Sequence, residues 1–474
     1  MDCQTAVFRI FQTLSAIPRP SHHEGKVSDF LCSFAAGHGL EFERDSRNCV
    51  VIRKPASCGH GNAPTVVLLN HMDMVAVGNG IRPFDPLHDG IETYVENGWI
   101  KAHGTSLGAD NGIGLSMALA VLADNDIVHG PLEVLTTTNE EDGMTGAAGL
   151  SSDFIKGRKV INLDSEDYDT ITVGSAGAFL QKAVLHSAAI PIPEGFKCFR
   201  VCISGGIGGH SGVDIGKNRI NAIHELASML YDCSTALLLI GIDGGSANAS
   251  IASSCTAVVS VPALCCNGFR TGLYEKFEHI RGLYSDGHEL RLEVCDIIDG
   301  EFQTAFGDSS ILKMIAGIPC GVIRMHETLP GTVMTSNNIG IVRTEGSVMS
   351  ISCHTRSFCD SEMSETADGI RRVFEEYGAS VQVLMNTPGW HEDANSDLIR
   401  LTEDAFHDVL GFTPRKVAMH FVLEAGYYVN KYPGIEIACI GPRIIEPHSV
   451  RERVELSTVS GIYRVLIELL ARLA

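Results

Sequence analysis

The spacing of hydrophobic positions predicts helices and buried strands in the first part of the chain. In residues 2–40, apolar residues recur at helical spacing on both sides of a break at Pro18 and Pro20. Residues 49–53 and 65–69 are strand-like, and the second run is apolar without alternation. A continuous apolar run of this kind is typical of a strand that is covered on both faces.

Predicted strands and helices continue to alternate along the chain to about residue 180. A helix rich in Ala, Leu and Met is predicted at 113–123, and short apolar strands are predicted at 132–137 and 159–163. Because strands and helices alternate, we predict an α/β fold with a mostly parallel central sheet flanked by helices.

Beyond residue 180 the pattern becomes that of an inserted α+β domain. Residues 196–204 alternate like an antiparallel strand. Further predicted elements are helices at 218–231, 273–284 and 362–377 and strands at 249–262, 290–298, 333–342 and 348–353. From Trp390 the chain returns to a helix–strand–helix pattern, with an apolar strand at 435–440. We therefore predict a catalytic domain formed by residues 1–180 and 385–474, with an inserted lid domain at 181–384.

Composition and charge exclude several classes of function. The chain has 474 residues, and its 36 basic and 57 acidic residues give a net charge of −21. This charge would repel a nucleic-acid backbone. The longest apolar stretches are shorter than the roughly 20 residues that a membrane span needs, and the N-terminus lacks the pattern of a secretory signal. The 15 cysteines are scattered and form no CxxC pair. We expect a cytoplasmic protein that binds neither nucleic acid nor membrane.

A first candidate for chemistry follows the buried strand at 65–69. His71 and Asp73 are two residues apart and therefore point the same way from the carboxyl end of this strand. Open α/β sheets bind their ligands at this end, where an imidazole can bind a metal and a nearby carboxylate can orient the ring. A histidine buried in the core is the alternative for this pair alone.

The glycine-rich segment GADNGIG at 108–114 places a second carboxylate on a tight turn. Asp110 lies at the predicted start of a helix, between three glycines. A phosphate-binding loop is disfavoured because the segment is acidic and has no lysine. An aspartate that caps the helix N-terminus is the alternative to a metal ligand.

The strongest local signal is the pair Glu140–Glu141 after the apolar strand at 132–137. Two adjacent carboxylates in an apolar context require a compensating cation, which a metal ion provides. One glutamate can then bind the metal while its neighbour accepts a proton from the attacking water. A solvated acidic loop is the alternative.

Two more strand ends add to this set. Asp164 follows the strand at 159–163, and His448 follows the strand at 435–440. Histidine and carboxylate donors without thiolates suit Zn²⁺, Mn²⁺ or Co²⁺. The donors outnumber those that one ion needs, which indicates two ions that share a carboxylate.

These motifs give the chain a resemblance to a known family. His-x-Asp, GADNGIG, NEEDGMTGA, INLDSE, GGHSG and the PHS at 447–449 are similar to those of co-catalytic zinc peptidases of the aminoacylase/carboxypeptidase type. The likeness extends almost from end to end, and it is greatest to the aminoacyl-histidine dipeptidase subgroup. It implies that the protein hydrolyses Xaa-His dipeptides, so its substrate is a small peptide. It also implies two divalent metal ions per subunit, with zinc as the first choice, and assembly into a homodimer.

The resemblance also implies roles for individual residues. His71 and Asp164 would bind one metal, Glu141 and His448 the other, and Asp110 would bridge the two. Glu140 would be the general base, and Asp73 would orient His71. In the inserted domain, His210 would help to polarise the scissile carbonyl or hold its developing oxyanion. The residues expected to bind the substrate are Arg219, Asn248, Asn338, Arg356, His420 and Glu424.

Two segments depart from the usual pattern of the subgroup. Residues 244–254 read GGSANASIASS and keep only Asn248 of the usual pattern, and residues 420–426 read HFVLEAG, which keeps His420 and Glu424. These departures leave other substrates open, so a related amidohydrolase or tripeptidase is an alternative. A non-catalytic metal-binding protein is the alternative from another class, but such a protein has no use for an uncoordinated base at Glu140.

Overall fold

The fold is described from a computed structural model, which describes residues 3–233, 236–287, 289–298, 300–308, 310–327, 329–391 and 394–474. The chain divides into two compact units. Unit 1 comprises Met1–Gly174, Glu392–Ala418 and Tyr427–Ala474, and unit 2 comprises Ser175–His391 and Met419–Gly426. The last of these segments was assigned from sequence to the catalytic domain, but it lies in unit 2.

The N-terminal part of unit 1 alternates helices and strands as the sequence predicts. Its elements are α1 (Cys3–Ser15), α2 (Gly25–Gly37), β1 (Glu41–Arg44), β2 (Val50–Lys54), β3 (Val66–His71), β4 (Thr93–Glu96), β5 (Trp99–Ala102), α3 (Ala109–Ala123), β6 (Leu132–Thr137), α4 (Thr145–Gly149), β7 (Lys159–Asn162) and β8 (Thr170–Ser175).

Unit 2 is composed of antiparallel strands and, among its described residues, four α-helices. Its elements are β9 (Gly177–His186), β10 (Ala189–Pro191), β11 (Phe196–Ser204), α5 (Ala222–Tyr231), β12 (Leu238–Gly244), β13 (Cys255–Pro262), α6 (Cys266–Arg281), β14 (Arg291–Asp296), β15 (Thr304–Phe306), α7 (Ile311–Gly317), β16 (Gly321–Met325), β17 (Val333–Glu345), β18 (Val348–Ser357), α8 (Asp360–Glu376) and β19 (Ser380–Thr387).

The C-terminal part of the chain belongs to unit 1, except for residues 419–426, which belong to unit 2. Its elements are α9 (Asp397–Leu410), β20 (Arg415–Met419), α10 (Ala425–Lys431), β21 (Glu436–Cys439), β22 (Ile444–Ile445), β23 (Arg453–Glu455) and α11 (Leu456–Arg472).

The main sheet of unit 1 has eight strands in the order β1-β2-β6-β3-β7-β21-β8-β20. The four central strands β6, β3, β7 and β21 are parallel. The pairs β1–β2, β2–β6 and β21–β8 are antiparallel. The predicted α/β fold with a parallel core is confirmed, and the sheet becomes mixed towards its edges.

Helix α3 covers this sheet and is itself almost completely enclosed. Thirteen of its residues are buried, which explains why its sequence is rich in Ala, Leu and Met and is not amphipathic. It packs against β3 and against α1, whose Phe11 is fully buried. Helix α3, which carries Asp110 in its first turn, is therefore anchored in the core of unit 1 and not at its surface.

Unit 2 is built on a nine-stranded sheet. The path β14-β11-β13-β12-β17-β18-β9-β19 is antiparallel, and β16 pairs with β17 beside it. In the β17–β18 pair, Ser336 lies opposite Arg356 and Asn338 lies opposite His354. Since alternate residues of a strand face the same side, these four residues share one face of the sheet.

Two predicted boundaries in unit 2 were wrong. The helix predicted from residue 218 begins at Ala222, because the side chain of Asn221 accepts the N–H groups of Ile223 and His224 as an N-cap. The strand predicted from residue 249 begins at Cys255. The preceding segment is instead a loop in which Ser250 bridges to His210.

The helix predicted at 273–284 was also misplaced, because α6 begins at Cys266. Its first turns contain Asn267 and Gly268, which have low intrinsic helix propensity and hide the start from a sequence pattern. Within the described residues, the helices lack the combination of length and apolar character that crossing a bilayer requires.

Candidate functional site

The candidate catalytic residues of unit 1 gather at one edge of its sheet. The four central strands are parallel, so their carboxyl ends lie at the same edge. His71 ends β3, the Glu140–Glu141 loop follows β6, and Asp164 follows β7. His448 lies on the segment after β21. Residues that are far apart in sequence are thereby brought within a few ångströms of one another.

Asp110 lies between two histidines. Its Oδ1 is 3.1 Å from His71 Nε2, and its Oδ2 is 3.1 Å from His448 Nε2. His448 Nε2 is also 2.9 Å from Glu141 Oε2. The two oxygens of one carboxylate thus face two different imidazoles, which is the arrangement of a carboxylate shared by two metal ions.

Asp164 completes the half of the cluster around His71. Asp164 Oδ1 lies 3.4 Å from His71 Nε2, the nitrogen that also faces Asp110. The side-chain amide of Asn111 donates hydrogen bonds to Asp164 Oδ1 and to the Leu163 carbonyl. One histidine nitrogen and two carboxylates therefore converge on a single point.

Asp73 connects His71 to the glutamate loop. Its Oδ1 is 3.5 Å from His71 Nδ1, and its two oxygens accept the backbone N–H groups of Glu140 at 3.0 Å and Glu141 at 3.2 Å. Ser21 Oγ donates a further hydrogen bond at 2.8 Å. This fully buried carboxylate holds the imidazole and both glutamates in fixed positions.

The backbone is left-handed at His448 and at Asn139, the residue before Glu140. His448 has a φ of 58°, and Asn139, which precedes Glu140, has a φ of 56°. Non-glycine residues with left-handed backbone are strained and concentrate at functional sites. Hydrogen bonds from the Asn139 side-chain amide to the Asp142 carbonyl and to Thr145 Oγ1 stabilise that turn.

The donors present suit divalent metal ions. One ligand atom each from His71, Asp110 and Glu141 lie within 4.8 Å of one another. Glu141 Oε1 is buried and has no hydrogen-bond partner among the described residues. An unpaired buried carboxylate oxygen is costly unless a cation compensates it. The residues therefore fit a metal centre formed by imidazole and carboxylate donors.

The pKa values of these groups reflect the density of charge. Hydrogen bonds to Asp110 raise the pKa of His448 to about 11. Burial alone would lower the pKa of His71, but the charge of Asp164 and the hydrogen bond to Asp110 outweigh it and raise this pKa well above its usual value. Burial raises the pKa of Asp164 to about 6. The density of carboxylates thus favours positive charge at this edge of the sheet, which divalent cations would supply.

Glu166 belongs to the same neighbourhood, although the sequence analysis did not assign it a role. Burial raises its pKa to about 8, and the negative charges of Asp110 and Asp164 act in the same direction. The signal in the sequence was the acidic run after β7, from which only the first residue was chosen.

Unit 2 contains a second polar cluster, centred on Arg356. The guanidinium is buried, and burial lowers its pKa to about 10, so it stays charged at neutral pH. Its Nε donates to Ser211 Oγ at 3.4 Å. Among the described residues, no carboxylate forms an ion pair with it. A buried cation without a counter-ion is suited to bind an anionic group of a ligand.

Three histidines surround this arginine. Burial lowers the pKa of His354 and of His420 to about 3, and the charge of Arg356 acts in the same direction on both. His420 Nε2 is 2.8 Å from Ser336 Oγ. Partial burial and Arg356 also lower the pKa of His210. All three imidazoles are therefore neutral near pH 7.

His354 was missed in the sequence analysis. It precedes Arg356 by two residues on β18 and so shares its face of the sheet. Neither of its ring nitrogens has a hydrogen-bond partner among the described residues. In the sequence, His354 is one of four polar residues at alternate positions of β18, with Ser350, Ser352 and Arg356.

Two of the other predicted substrate-binding residues, Arg219 and Asn338, have structural partners. Arg219 forms an ion pair with Asp214 at 3.1 Å and donates to the Gly208 carbonyl, so it supports the loop that carries His210. Asn338 Nδ2 donates to the carbonyls of Ser250 at 2.9 Å and Asn248 at 3.3 Å.

The remaining two predicted residues are also placed in unit 2. Asn248 Oδ1 is buried without a hydrogen-bond partner among the described residues. Glu424 is buried on the segment 419–426. The structure thus brings the seven residues predicted for the metal centre together in unit 1, whereas the residues predicted for the substrate all lie in unit 2.

Comparison with known proteins gives four informative similarities. The family model described as peptidase family M20/M25/M40 matches residues 67–472. The cytosol non-specific dipeptidase of Escherichia coli (strain K12) is 34% identical over 465 residues, which is 97% of this chain and 96% of that protein.

Two solved structures have a similar fold. The aminoacylhistidine dipeptidase from Vibrio alginolyticus superposes with a TM-score of 0.94 at 32% identity and covers 98% of this chain and 96% of its own. The aminopeptidase PepT from Bacillus cereus ATCC 10987 gives a TM-score of 0.61 at 17% identity over 99% and 98% of the two chains, which indicates a shared fold.

The low pKa of buried His354 predicts a pH effect on stability. Between about pH 3 and pH 6.5 the unfolded chain protonates this imidazole and the folded chain does not, so the free energy of unfolding decreases as the pH decreases. Between pH 7 and pH 5, the unaltered protein should lose up to about 2 kcal/mol more of its free energy of unfolding than the His354→Gln variant does. Urea unfolding of both proteins at the two pH values measures this difference, and equal losses in both would contradict the burial of a neutral imidazole.

Proposed function

Because this chain belongs to peptidase family M20/M25/M40 and is a metal-dependent dipeptidase, we propose that it uses two zinc ions to hydrolyse dipeptides of the aminoacyl-histidine type. The observation that carries the proposal is the position of Asp110, whose two oxygens face His71 and His448 separately. His71 and Asp164 would hold one ion, Glu141 and His448 the other, and Asp110 would be shared.

Zinc is proposed because of the donor set. Two imidazoles and three carboxylates without a thiolate suit Zn²⁺, and the same donors accept Co²⁺ or Mn²⁺. When bound, such ions supply the Lewis acidity that activates water and polarises the peptide carbonyl.

The protein's own groups carry the proton and position the reactants. Glu140 is proposed as the general base that takes a proton from the attacking water and then gives it to the leaving amine. Its backbone N–H is held by Asp73, which also lies beside His71 Nδ1. A single buried carboxylate thus fixes the base relative to a metal ligand, which keeps the proton acceptor at a constant position.

The cluster around Arg356 is proposed to bind the substrate. A dipeptide carries a C-terminal carboxylate, and the buried guanidinium offers planar, charge-assisted hydrogen bonds to such a group. Neutral His210, with its lowered pKa, can donate one hydrogen bond to a substrate carbonyl. Asn248, His420 and Glu424 are proposed to contact the remainder of the substrate, and Asn338 and Arg219 to hold the loops that carry these residues.

The breadth of substrate choice is a separate question. The Escherichia coli relative is named a non-specific dipeptidase, and the Vibrio alginolyticus relative is named an aminoacylhistidine dipeptidase. The loop at 244–254 of this chain departs from the usual pattern of the aminoacyl-histidine subgroup and lies beside His210 through Ser250. We therefore expect histidine to be a favoured C-terminal residue and not a required one.

We also propose that the protein is a cytoplasmic homodimer. The Escherichia coli relative is named as a protein of the cytosol. In unit 2, β16 and β19 expose apolar side chains along their lengths; these are Val322, Ile323, Met325, Val383, Leu384 and Met385. Exposed apolar strands of this kind are commonly covered by a second chain.

A substrate panel tests the proposed function. Glycyl-histidine, β-alanyl-histidine and glycyl-leucine should be cleaved, with the histidine peptides favoured. Glycyl-histidine amide should be cleaved at least about tenfold more slowly, because it lacks the charge that Arg356 pairs with. A chelator should abolish all of these activities, and added zinc should restore them. Faster cleavage of tripeptides or of N-acyl amino acids than of any dipeptide would contradict the proposal.

The role of Glu140 is tested by Glu140→Gln. This variant should keep the metal content of the unaltered protein and lose about 10²- to 10⁴-fold in kcat, the range expected for a general base. Asp142→Asn, a change of an exposed carboxylate on the same loop, is the matched control and should leave kcat unchanged. Near-normal kcat in Glu140→Gln would show that another group accepts the proton.

A further inference from the structure

A buried carboxylate on the His448 segment contacts the turn that carries Asp110. Glu452 Oε2 accepts the backbone N–H groups of Leu107 at 2.8 Å and Gly108 at 3.0 Å. Its Oε1 accepts those of Ala109 at 2.8 Å and Asp110 at 3.4 Å. Helix N-termini leave such donors without intrahelical partners, and here a residue more than 300 positions away satisfies them.

Glu452 and His448 lie at the two ends of a short hydrogen-bonded segment. The two residues are four positions apart, and the N–H of Glu452 donates to the Ser449 carbonyl at 3.1 Å, which closes a short turn. The side chain of Glu452 is buried. The position of one metal-binding imidazole is therefore coupled to the backbone of the turn that carries the bridging carboxylate.

A buried arginine makes the equivalent connection on the other side. Arg19 Nη1 donates to the carbonyls of Met72 at 3.0 Å and Asp73 at 2.9 Å, directly after His71. Its Nη2 donates to the Gly108 carbonyl at 2.6 Å. Arg19 thus joins the end of β3 to the same turn that Glu452 holds.

The fit between this arginine and the turn is close. A Cβ on Gly108 would come 2.7 Å from Arg19 Nη2 and 2.6 Å from Met74 Sδ, and Gly108 has a φ of 67°. A Cβ on Gly112 would come 2.5 Å from the same Nη2. Two glycines of the GADNGIG segment are thereby explained by the space that Arg19 occupies.

We propose that Glu452 and Arg19 are positioning residues of the metal centre, which fix the Asp110 carboxylate between His71 and His448. The inference rests on the proposed function, because it assigns these residues to the metal site described there. Neither side chain supplies a ligand. They act by holding three segments from distant parts of the sequence, those of His71, Asp110 and His448, at constant separation.

The physical reason is that a two-metal site tolerates little displacement of the carboxylate that its two ions share. A shared carboxylate must reach both ions at once, so small displacements of its backbone weaken binding at both positions. Groups that orient metal ligands typically contribute 10- to 100-fold to metal affinity or activity. Loss of Glu452 would leave four backbone donors of the Asp110 turn without their acceptor.

The test compares Glu452→Gln with a matched variant, Glu133→Gln. Glu133 is also a buried glutamate of unit 1; its Oε2 accepts the N–H groups of Lys156 at 2.8 Å and Gly157 at 2.9 Å, and Arg53 Nε lies 3.3 Å from its Oε1. It lies on β6, whose opposite end leads to the glutamate loop. Both variants lose a buried, hydrogen-bonded carboxylate charge, but only one of them contacts the Asp110 turn.

The experiment measures Co²⁺ binding to the metal-free protein. Calorimetry gives the affinity, and the visible absorption spectrum reports the coordination of the ion. Glu452→Gln should bind Co²⁺ about 10- to 100-fold more weakly with an altered spectrum. At saturating metal it should lower kcat more than it changes KM. Arg19→Lys, which loses the forked contact to two segments, should change the spectrum in the same way. Glu133→Gln should keep the affinity and the spectrum even where it lowers thermal stability.

The outcomes separate the inference from the proposed function. If the unaltered protein binds Co²⁺ and Glu452→Gln binds it with equal affinity and an identical spectrum, the positioning role is wrong and the metal centre stands. The same holds if Glu133→Gln weakens binding as much as Glu452→Gln does. If the unaltered protein binds no Co²⁺, both the metal centre and this inference are wrong.

Discussion

The structure of unit 1 depends on one electrostatic constraint, the concentration of carboxylates around Asp110. Asp73, Asp110, Glu141 and Asp164 lie beside two imidazoles at the edge of an apolar sheet. Like charges in so small a buried volume repel strongly unless cations are placed among them. The same concentration of negative charge raises the pKa values of His71 and His448. A fold that maintains such a cluster must hold it together through rigid scaffolding and through bound cations.

The parallel core of the sheet provides that scaffolding. Four adjacent strands end at one edge. His71 is the last residue of β3, and the segments after β6, β7 and β21 carry Glu140, Glu141, Asp164 and His448. The antiparallel sheet of unit 2 serves a different purpose. Its β17–β18 pair places Ser336, Arg356 and His354 on one face. There the charge of Arg356, which has no carboxylate partner among the described residues, lies near neutral imidazoles. One unit thus collects negative charge suited to metal ions, and the other holds positive charge suited to a peptide carboxylate.

That the residues of the proposed metal centre lie close together could be predicted from sequence, because strand ends are visible in a hydrophobic pattern. An apolar run that ends in His71 or in Glu140 marks both the strand and the edge at which its side chains emerge. Glu452 could not be found in this way, because its acceptor role depends on a contact with residues 107–110 that no local pattern encodes. The antiparallel edge strands and the placement of 419–426 in unit 2 were missed for the same reason, since pairing between distant segments is set by packing. In unit 2, His354 and the pairing of Arg219 with Asp214 also became apparent only from the fold.

The most direct test of this account is a crystal structure of the zinc-loaded protein with anomalous diffraction data on both sides of the zinc absorption edge. The account predicts two anomalous peaks per chain, one beside His71 and Asp164 and one beside Glu141 and His448, with Asp110 between them. A single peak, or two peaks of which neither contacts Asp110, would contradict it.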